Sequence, residues 1–128
     1  MKDQQTIGIG VYRYFGRNKM RVWHPIPAIC LDTKRLVAEH LEITIIMRVL
    51  VGISTGWWFH PEVKRWRGHT NKLFERHEKV VAEFERRGFK HKSPIPPEYI
   101  VDNVADWPEP WEPLRRMKEK LACKIKGM

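Results

Sequence analysis

Apolar residues recur at helical spacing in three stretches of the chain, and these stretches predict three main helices. The first covers residues 33–51, where Asp32 provides an N-cap and Gly52 a stop. The second covers residues 70–87 and the third residues 113–126, with a short helical turn at residues 61–67 between the first two. The pattern therefore predicts three helices joined by long connections.

The connections differ from the helices in composition. Residues 52–68 are rich in glycine and tryptophan and include the run Trp57, Trp58 and Phe59, which we expect in the core rather than on a base-stacking surface. Residues 94–113 contain five acidic residues, no basic residue and six of the nine prolines. Since proline fixes φ and removes a hydrogen-bond donor, we expect this stretch to be a connector packed on the helical body.

The polar positions of the first helix are unusual. Glu39 and Glu42 interrupt an apolar region, and together with Arg35 they lie three to four residues apart on one side. A carboxylate among isoleucines is expensive to bury unless it is paired. Glu42 is therefore either an edge residue bridged to Arg35 or Arg48, which composition alone favours, or an acid/base group in a pocket.

Composition and charge narrow the class of protein. The 128 residues allow one domain, and 24 Lys and Arg against 15 Asp and Glu give a net charge of +9, which favours polyanionic partners. No apolar run is long enough to span a membrane, and the N-terminus lacks an apolar signal core. Cys30 and Cys123 form no CxxC pair, which argues for a reducing cytoplasm and against a disulfide framework or zinc finger.

The six histidines suggest a metal site by number but not by spacing. The chain has no HxH and no HExxH motif, so we expect no metal, and His77 fits a packed residue in an apolar stripe.

Basic and aromatic residues are interleaved near the second helix. Trp66 lies between Arg65 and Arg67, beside Lys64. In one interpretation the tryptophan ring stacks on a base and the neighbouring cations bind a phosphate. In the other, the ring anchors the chain and the neighbouring cations are solvated. The one-sided basic charge of the third helix, including Arg115 and Lys118, favours phosphate contact without sequence readout.

Three blocks of sequence resemble the pyrimidine-dimer DNA glycosylases. The first is MRVWHP at residues 20–25, followed by LD and RLVAEHLE at residues 31–42. The second comprises KLFER at residues 72–76 and VVAEFERRGF at residues 80–89, and the third is RRMKEKL at residues 115–121. The resemblance starts at Met20, so residues 1–19 are interpreted as an extension and residues 20–128 as the functional domain.

The resemblance implies a compact all-α fold, with single-domain organisation, and a glycosylase with coupled abasic-site lyase activity on damaged double-stranded DNA, including cyclobutane pyrimidine dimers. In this family the main-chain amine of the first residue attacks the sugar, and a glutamate that aligns with Glu42 assists it. The expected nucleophile here is the amine of Met20, or of Arg21 if Met20 is removed. An initiator methionine is usually removed only before a small residue, and because Arg21 is bulky this favours Met20. No cofactor and no metal are required.

We expect a cytoplasmic monomer that is associated with the nucleoid, or that lies in the host cytoplasm if a phage encodes it. The expected DNA contacts are Arg35, Arg48, Lys64, Arg65, Trp66, Arg67, Arg115 and Lys118.

Two other functions remain open at this level. Leu41 and Ile45 stand where the family has basic residues, and residues 1–19 precede the expected amine. Both features favour a non-catalytic basic module that binds nucleic acid. An interaction protein whose basic surface meets an acidic partner is the third alternative.

Overall fold

A computed structural model describes residues 20–91 and 94–121. These residues form helices and no strand, which confirms the all-α prediction. None of the described helices has both the length and the apolar character that crossing a membrane requires. The α-helices are α1 (Thr33–Leu50), α2 (Pro61–Trp66), α3 (Thr70–Arg86) and α4 (Leu114–Leu121), and short 3-10 helices lie at Ala28–Cys30 and Pro97–Tyr99.

The helix ends follow the sequence signals closely. The side chain of Asp32 accepts a hydrogen bond of 2.7 Å from the main-chain nitrogen of Arg35, which confirms the N-cap of α1. Gly52 and Gly88 follow α1 and α3 with φ of +83° and +86°, a left-handed conformation that glycine adopts without steric cost. The part of the third predicted helix beyond residue 121 lies outside the described residues, as does the extension at residues 1–19.

The core lies between α1 and α3, with α2 packed against α1. Leu36, Ile43 and Ile46 of α1 are fully buried, and so is His77 of α3, in agreement with its place in the apolar stripe. Burying such an apolar face removes it from water at a gain of about 25 cal/mol per Å². The interior of these helices therefore holds the fold together.

The aromatic run before α2 is not in the core, so the expectation for it was wrong. The exposed fractions of Trp57, Trp58 and Phe59 are 39%, 40% and 76%. The chain makes a turn here: Trp57 has φ of +70°, and its carbonyl accepts a hydrogen bond of 2.9 Å from the nitrogen of His60. Because the turn precedes the helix that enters the core, these rings remain on the surface.

The acidic connector, residues 94–113, packs on the helical body as expected. Asp102 accepts hydrogen bonds from the nitrogen and the hydroxyl of Thr70, at 3.0 and 2.7 Å, and so caps the start of α3 from a distant part of the chain. Further along, the ring of Trp107 stacks on His24 with centroids 4.1 Å apart. The connector therefore closes over the segment that precedes α1.

Cys30 is disulfide-bonded in the structure, whereas the cysteine spacing argued for a reducing cytoplasm and against a disulfide framework. That expectation depended on spacing along the chain, and spacing does not determine which residues approach each other in a fold.

Candidate active site

A segment without regular secondary structure, residues 20–23, enters the core and is held there by three buried glutamates. Three consecutive main-chain N–H groups each donate to a different carboxylate, and within residues 20–91 and 94–121 no strand lies beside them to accept these hydrogen bonds. A buried N–H without an acceptor is costly, so the glutamates take the place of a neighbouring strand. The donor–acceptor distances are 3.1 Å from Arg21 to Glu42, 2.8 Å from Val22 to Glu62 and 3.0 Å from Trp23 to Glu39.

The helices bring these carboxylates together. Glu39 and Glu42 are three residues apart on α1, so both project from the face that meets the segment. Glu62 lies in the first turn of α2, whose start is fixed because Nδ1 of His60 accepts a hydrogen bond of 3.0 Å from the nitrogen of Glu62. All three glutamates are buried, and Glu42 exposes only 3% of its surface.

Two of the three carboxylates are paired with arginines. Arg76, which is itself buried, donates from two nitrogens to both oxygens of Glu39 and from Nη1 to the carbonyl of Ile26 at 2.7 Å. Arg65 binds Oε2 of Glu62 at 2.9 Å. Buried charges are tolerated when they are paired and hydrogen-bonded, so these two glutamates are compensated.

Glu42 has no such partner. Within residues 20–91 and 94–121 the Arg21 amide is its one hydrogen-bond donor, and no cation forms an ion pair with it. Burial raises the pKa of Glu42 from 4.5 to about 9; the Arg21 amide lowers it, and the charges of Glu39 and Glu62 raise it further. The carboxyl is therefore protonated at neutral pH, and a cation at the position of the Arg21 nitrogen would favour its ionised form.

Aromatic and charged side chains of the connector border this site. The ring of Trp111 meets Trp23 edge-on with centroids 5.2 Å apart, and the guanidinium of Arg21 lies 4.0 Å from the Trp111 ring centroid. Glu112 lies 3.7 Å from that guanidinium. The Arg21 side chain is thus directed towards the connector, while its main-chain nitrogen faces Glu42.

Comparison with known proteins decides the family. A family model described as pyrimidine dimer DNA glycosylase matches residues 20–96, well over half of the chain. The chain belongs to the pyrimidine dimer DNA glycosylase family. The match begins at Met20 and includes all three buried glutamates, in agreement with the resemblance in the sequence. No curated protein and no solved structure gives a significant match.

In this glycosylase-family chain, two of the three residues expected to be catalytic come together. Glu42 accepts a hydrogen bond from the nitrogen of Arg21, and the side chain of Met20 is buried in the core. Arg35 does not bridge to Glu42: its guanidinium binds Asp32 at 2.7 Å. Glu42 is therefore a buried residue and not an edge residue bridged to Arg35, and its acid/base role stays a prediction.

The residues expected to contact DNA fall into two groups. Trp66 is fully buried and its Nε1 donates to Glu62 at 3.3 Å, while Arg65 is nearly buried against the same carboxylate. Trp66 therefore does not reach the surface, whereas Arg65 is partly exposed and also donates to the carbonyl of Glu109 in the connector. The others are exposed or half-buried, namely Arg35, Arg48, Lys64, Arg67, Arg115 and Lys118.

The sequence reasoning missed two members of the site. Glu62 and Arg76 were not singled out, although both carry a signal. Arg76 lies beside His77 in the apolar stripe of α3, and a cation there indicates a buried carboxylate partner. Glu62 follows a His-Pro pair at the start of a short helix, a weaker signal that indicates a cap but no contact with Val22.

Proposed function

We propose that this protein is a DNA glycosylase with coupled abasic-site lyase activity on damaged duplex DNA, including cyclobutane pyrimidine dimers. We further propose that its nucleophile is the α-amine of a chain that begins at Arg21. The family match supports the glycosylase class. The observation that carries the mechanism is the 3.1 Å distance between the Arg21 nitrogen and Oε1 of Glu42.

Charge compensation supports the choice of Arg21. An α-ammonium group at this position would give Glu42 the cationic partner that Arg76 gives Glu39 and Arg65 gives Glu62. The ordinary pKa of an α-amine is about 7.7–8.0, so deprotonation near neutral pH is easy compared with lysine at about 10.4. Glu42 would then accept the proton of the ammonium and leave a neutral amine beside the carboxyl.

The reaction requires only the groups of the site, the DNA and one water molecule. The neutral amine forms a bond to C1′ of the sugar, and the base leaves C1′ with the electrons of the glycosidic bond. Breaking of the C1′–O4′ bond gives an iminium between C1′ and the amine. Glu42 takes the proton that the nitrogen loses and passes it to O4′. Loss of a C2′ proton then expels the 3′ phosphate, and water releases the amine. A damaged nucleotide is the one most easily extruded from the helix for this purpose.

The surface around α2 supplies groups suited to DNA. Trp58 and Phe59 are exposed, the guanidinium of Arg67 lies 3.9 Å from the Trp58 ring centroid, and Nζ of Lys64 lies 6.0 Å from that of Phe59. Aromatic faces stack on bases and neighbouring cations hold phosphates. Because α2 also carries Glu62, which binds Val22, this surface is attached directly to the candidate active site.

Borohydride trapping tests the mechanism. Three chains are prepared, beginning at Met1, at Met20 and at Arg21, and each is mixed with DNA containing an abasic site or a pyrimidine dimer. We expect a covalent adduct with the chain that begins at Arg21 and none when its amine is acetylated. The Met20 chain should react less, since one extra residue moves the amine by up to about 3.8 Å.

A non-catalytic module that binds nucleic acid is the second candidate, and one observation favours it. In the chain as described, the Arg21 nitrogen belongs to a peptide bond, where its lone pair is delocalised and not nucleophilic. If neither short chain forms an adduct while both bind damaged DNA, the amine mechanism is wrong and this second function replaces it.

A further inference from the structure

Three histidines that are far apart in the sequence meet on the side of α1 away from the candidate active site. His40 lies on α1, His77 on α3, and His91 after the end of α3. Their ring centroids are 5.1, 4.9 and 5.2 Å apart, and one ligand nitrogen from each lies within 4.8 Å of the other two.

We propose that His40, His77 and His91 bind a divalent transition-metal ion of the zinc class. Neutral imidazole nitrogen is a preferred ligand of such ions, and three histidines are an established ligand set for zinc in proteins. Three protein ligands leave one coordination position for water or a small anion.

The distances fit this proposal. Nε2 of His40 lies 3.0 Å from Nε2 of His91, a hydrogen-bond contact that a metal ion bound to both nitrogens would replace. Zinc–nitrogen bonds of about 2.0–2.1 Å place two ligands of a tetrahedral site about 3.4 Å apart. The third nitrogen, within 4.8 Å, has to approach by little more than an ångström, which a small rotation of an imidazole ring achieves.

A carboxylate fixes the orientation of the most buried ring. Nδ1 of His77 lies 2.8 Å from Oε2 of Glu78. Histidine ligands of metals commonly donate one ring N–H to a carboxylate, which fixes the tautomer and leaves the other nitrogen for the ion. In His77 this contact directs Nε2 towards the metal.

The position in the fold indicates a structural role that is separate from the proposed reaction. His40 and Glu42 are two residues apart on α1, so their side chains point to nearly opposite faces of the helix. A metal held by the three histidines would join α1, α3 and the chain that follows α3. Such a bond across elements is expected to stabilise the folded state when the ion is present.

Metal binding to the untagged full chain tests the proposal. The protein is stripped with a chelator and titrated with Zn²⁺ by calorimetry, and with Co²⁺ by absorption spectroscopy, which reports on nitrogen ligands directly. We expect one ion per chain and a zinc-dependent rise in Tm. His91→Gln, at a half-buried position whereas His77 is fully buried, should weaken binding at least tenfold, and Glu78→Gln by about 10- to 100-fold.

His69→Gln is the matched control, since His69 is a half-buried histidine outside the cluster and should leave zinc binding unchanged. Circular dichroism confirms that each variant is folded before its affinity is compared. Absence of binding at one ion per chain would overturn the proposal. Equal affinity in the parent chain, His91→Gln and His40→Gln would also overturn it, because the ion would then be bound elsewhere.

Discussion

The main-chain nitrogen of Arg21 lies 3.1 Å from Oε1 of Glu42. As an amide this nitrogen offers only a dipole to a buried carboxyl. As a free amine it would offer a full positive charge when protonated and a lone pair when neutral. The same geometry therefore supports two chemical states, and the covalent state of Arg21 decides between them. This relationship leads to the first two predictions.

Replacing Glu42 should alter the pH dependence of stability in the full chain. The folded-state pKa of about 9 lies above the ordinary value of 4.5, so the folded protein retains a proton that the unfolded chain releases between these values. The contribution of Glu42 to stability is complete below about pH 4.5 and is lost as the pH rises towards 9, at up to about 1.4 kcal/mol per pH unit. Urea unfolding of Glu42→Gln across this range should show a flatter profile than the parent chain.

Glu75→Gln, a change at an exposed carboxylate, is the control for this experiment. An unchanged pH profile in Glu42→Gln would mean that Glu42 is ionised in the folded protein.

In the chain that begins at Arg21, Glu42→Gln should slow strand cleavage by about 10²- to 10⁴-fold, the usual contribution of a positioned acid or base. The glutamine keeps the shape of the side chain, so the affinity for damaged DNA should change little. Single-turnover cleavage and fluorescence anisotropy measure the two quantities separately. Full activity in this variant would remove Glu42 from the mechanism.

Arg76→Met should destabilise the protein by about 3–5 kcal/mol, because it leaves the carboxylate of Glu39 buried without its partner. Chemical denaturation measures the loss, and addition of Glu39→Gln to the same chain should recover part of it. Arg86→Met is the matched control: Arg86 pairs with Glu83, but its side chain is 58% exposed, so a loss of no more than about 1 kcal/mol is expected. Similar losses in both variants would contradict the structural role of the buried pair.

Trp58→Ala and Phe59→Ala should each weaken DNA binding by about 1–3 kcal/mol, the usual value of one stacked base. Both rings are exposed, so Tm should hardly change. Phe89→Ala, at another exposed phenylalanine, should leave the affinity unaltered. Equal affinities for all three variants in anisotropy measurements would exclude the turn before α2 from the DNA surface.

Lys118→Gln on α4 should reduce the salt dependence of DNA binding, lowering the slope of log affinity against log salt by about 1. The affinity should fall equally for damaged and undamaged DNA, since phosphate contacts carry no sequence information. Lys90→Gln, at an exposed lysine outside α4, is the comparison. A slope unchanged in Lys118→Gln but reduced in Lys90→Gln would place the DNA on another face.

Local sequence signals sufficed for the helices of this protein. Asp32 caps α1 because its carboxylate reaches an N–H only three residues away. Gly88 follows the end of α3 because glycine adopts the positive φ required there without steric cost. The same kind of reasoning identified Glu42 as exceptional, since an acid among isoleucines is costly wherever those isoleucines are buried. Each of these inferences depends on neighbours along the chain.

The partners of the buried groups could not be obtained in that way. Glu62 meets Val22 across 40 residues, Arg76 meets Glu39 across 37, and His91 meets His40 across 51. Exposure of the rings at Trp58 and Phe59 and burial of Trp66 likewise depend on how α2 packs on α1.

The sequence by itself thus determined the positions of the helices, the ends of α1 and α3, the basic charge and the one carboxylate that requires an explanation. Only the tertiary structure decided which nitrogen faces that carboxylate and which histidines meet. The physical reason is range: caps and turns are satisfied within a few residues, whereas a buried charge is compensated by whichever group the packing of the helices brings to it.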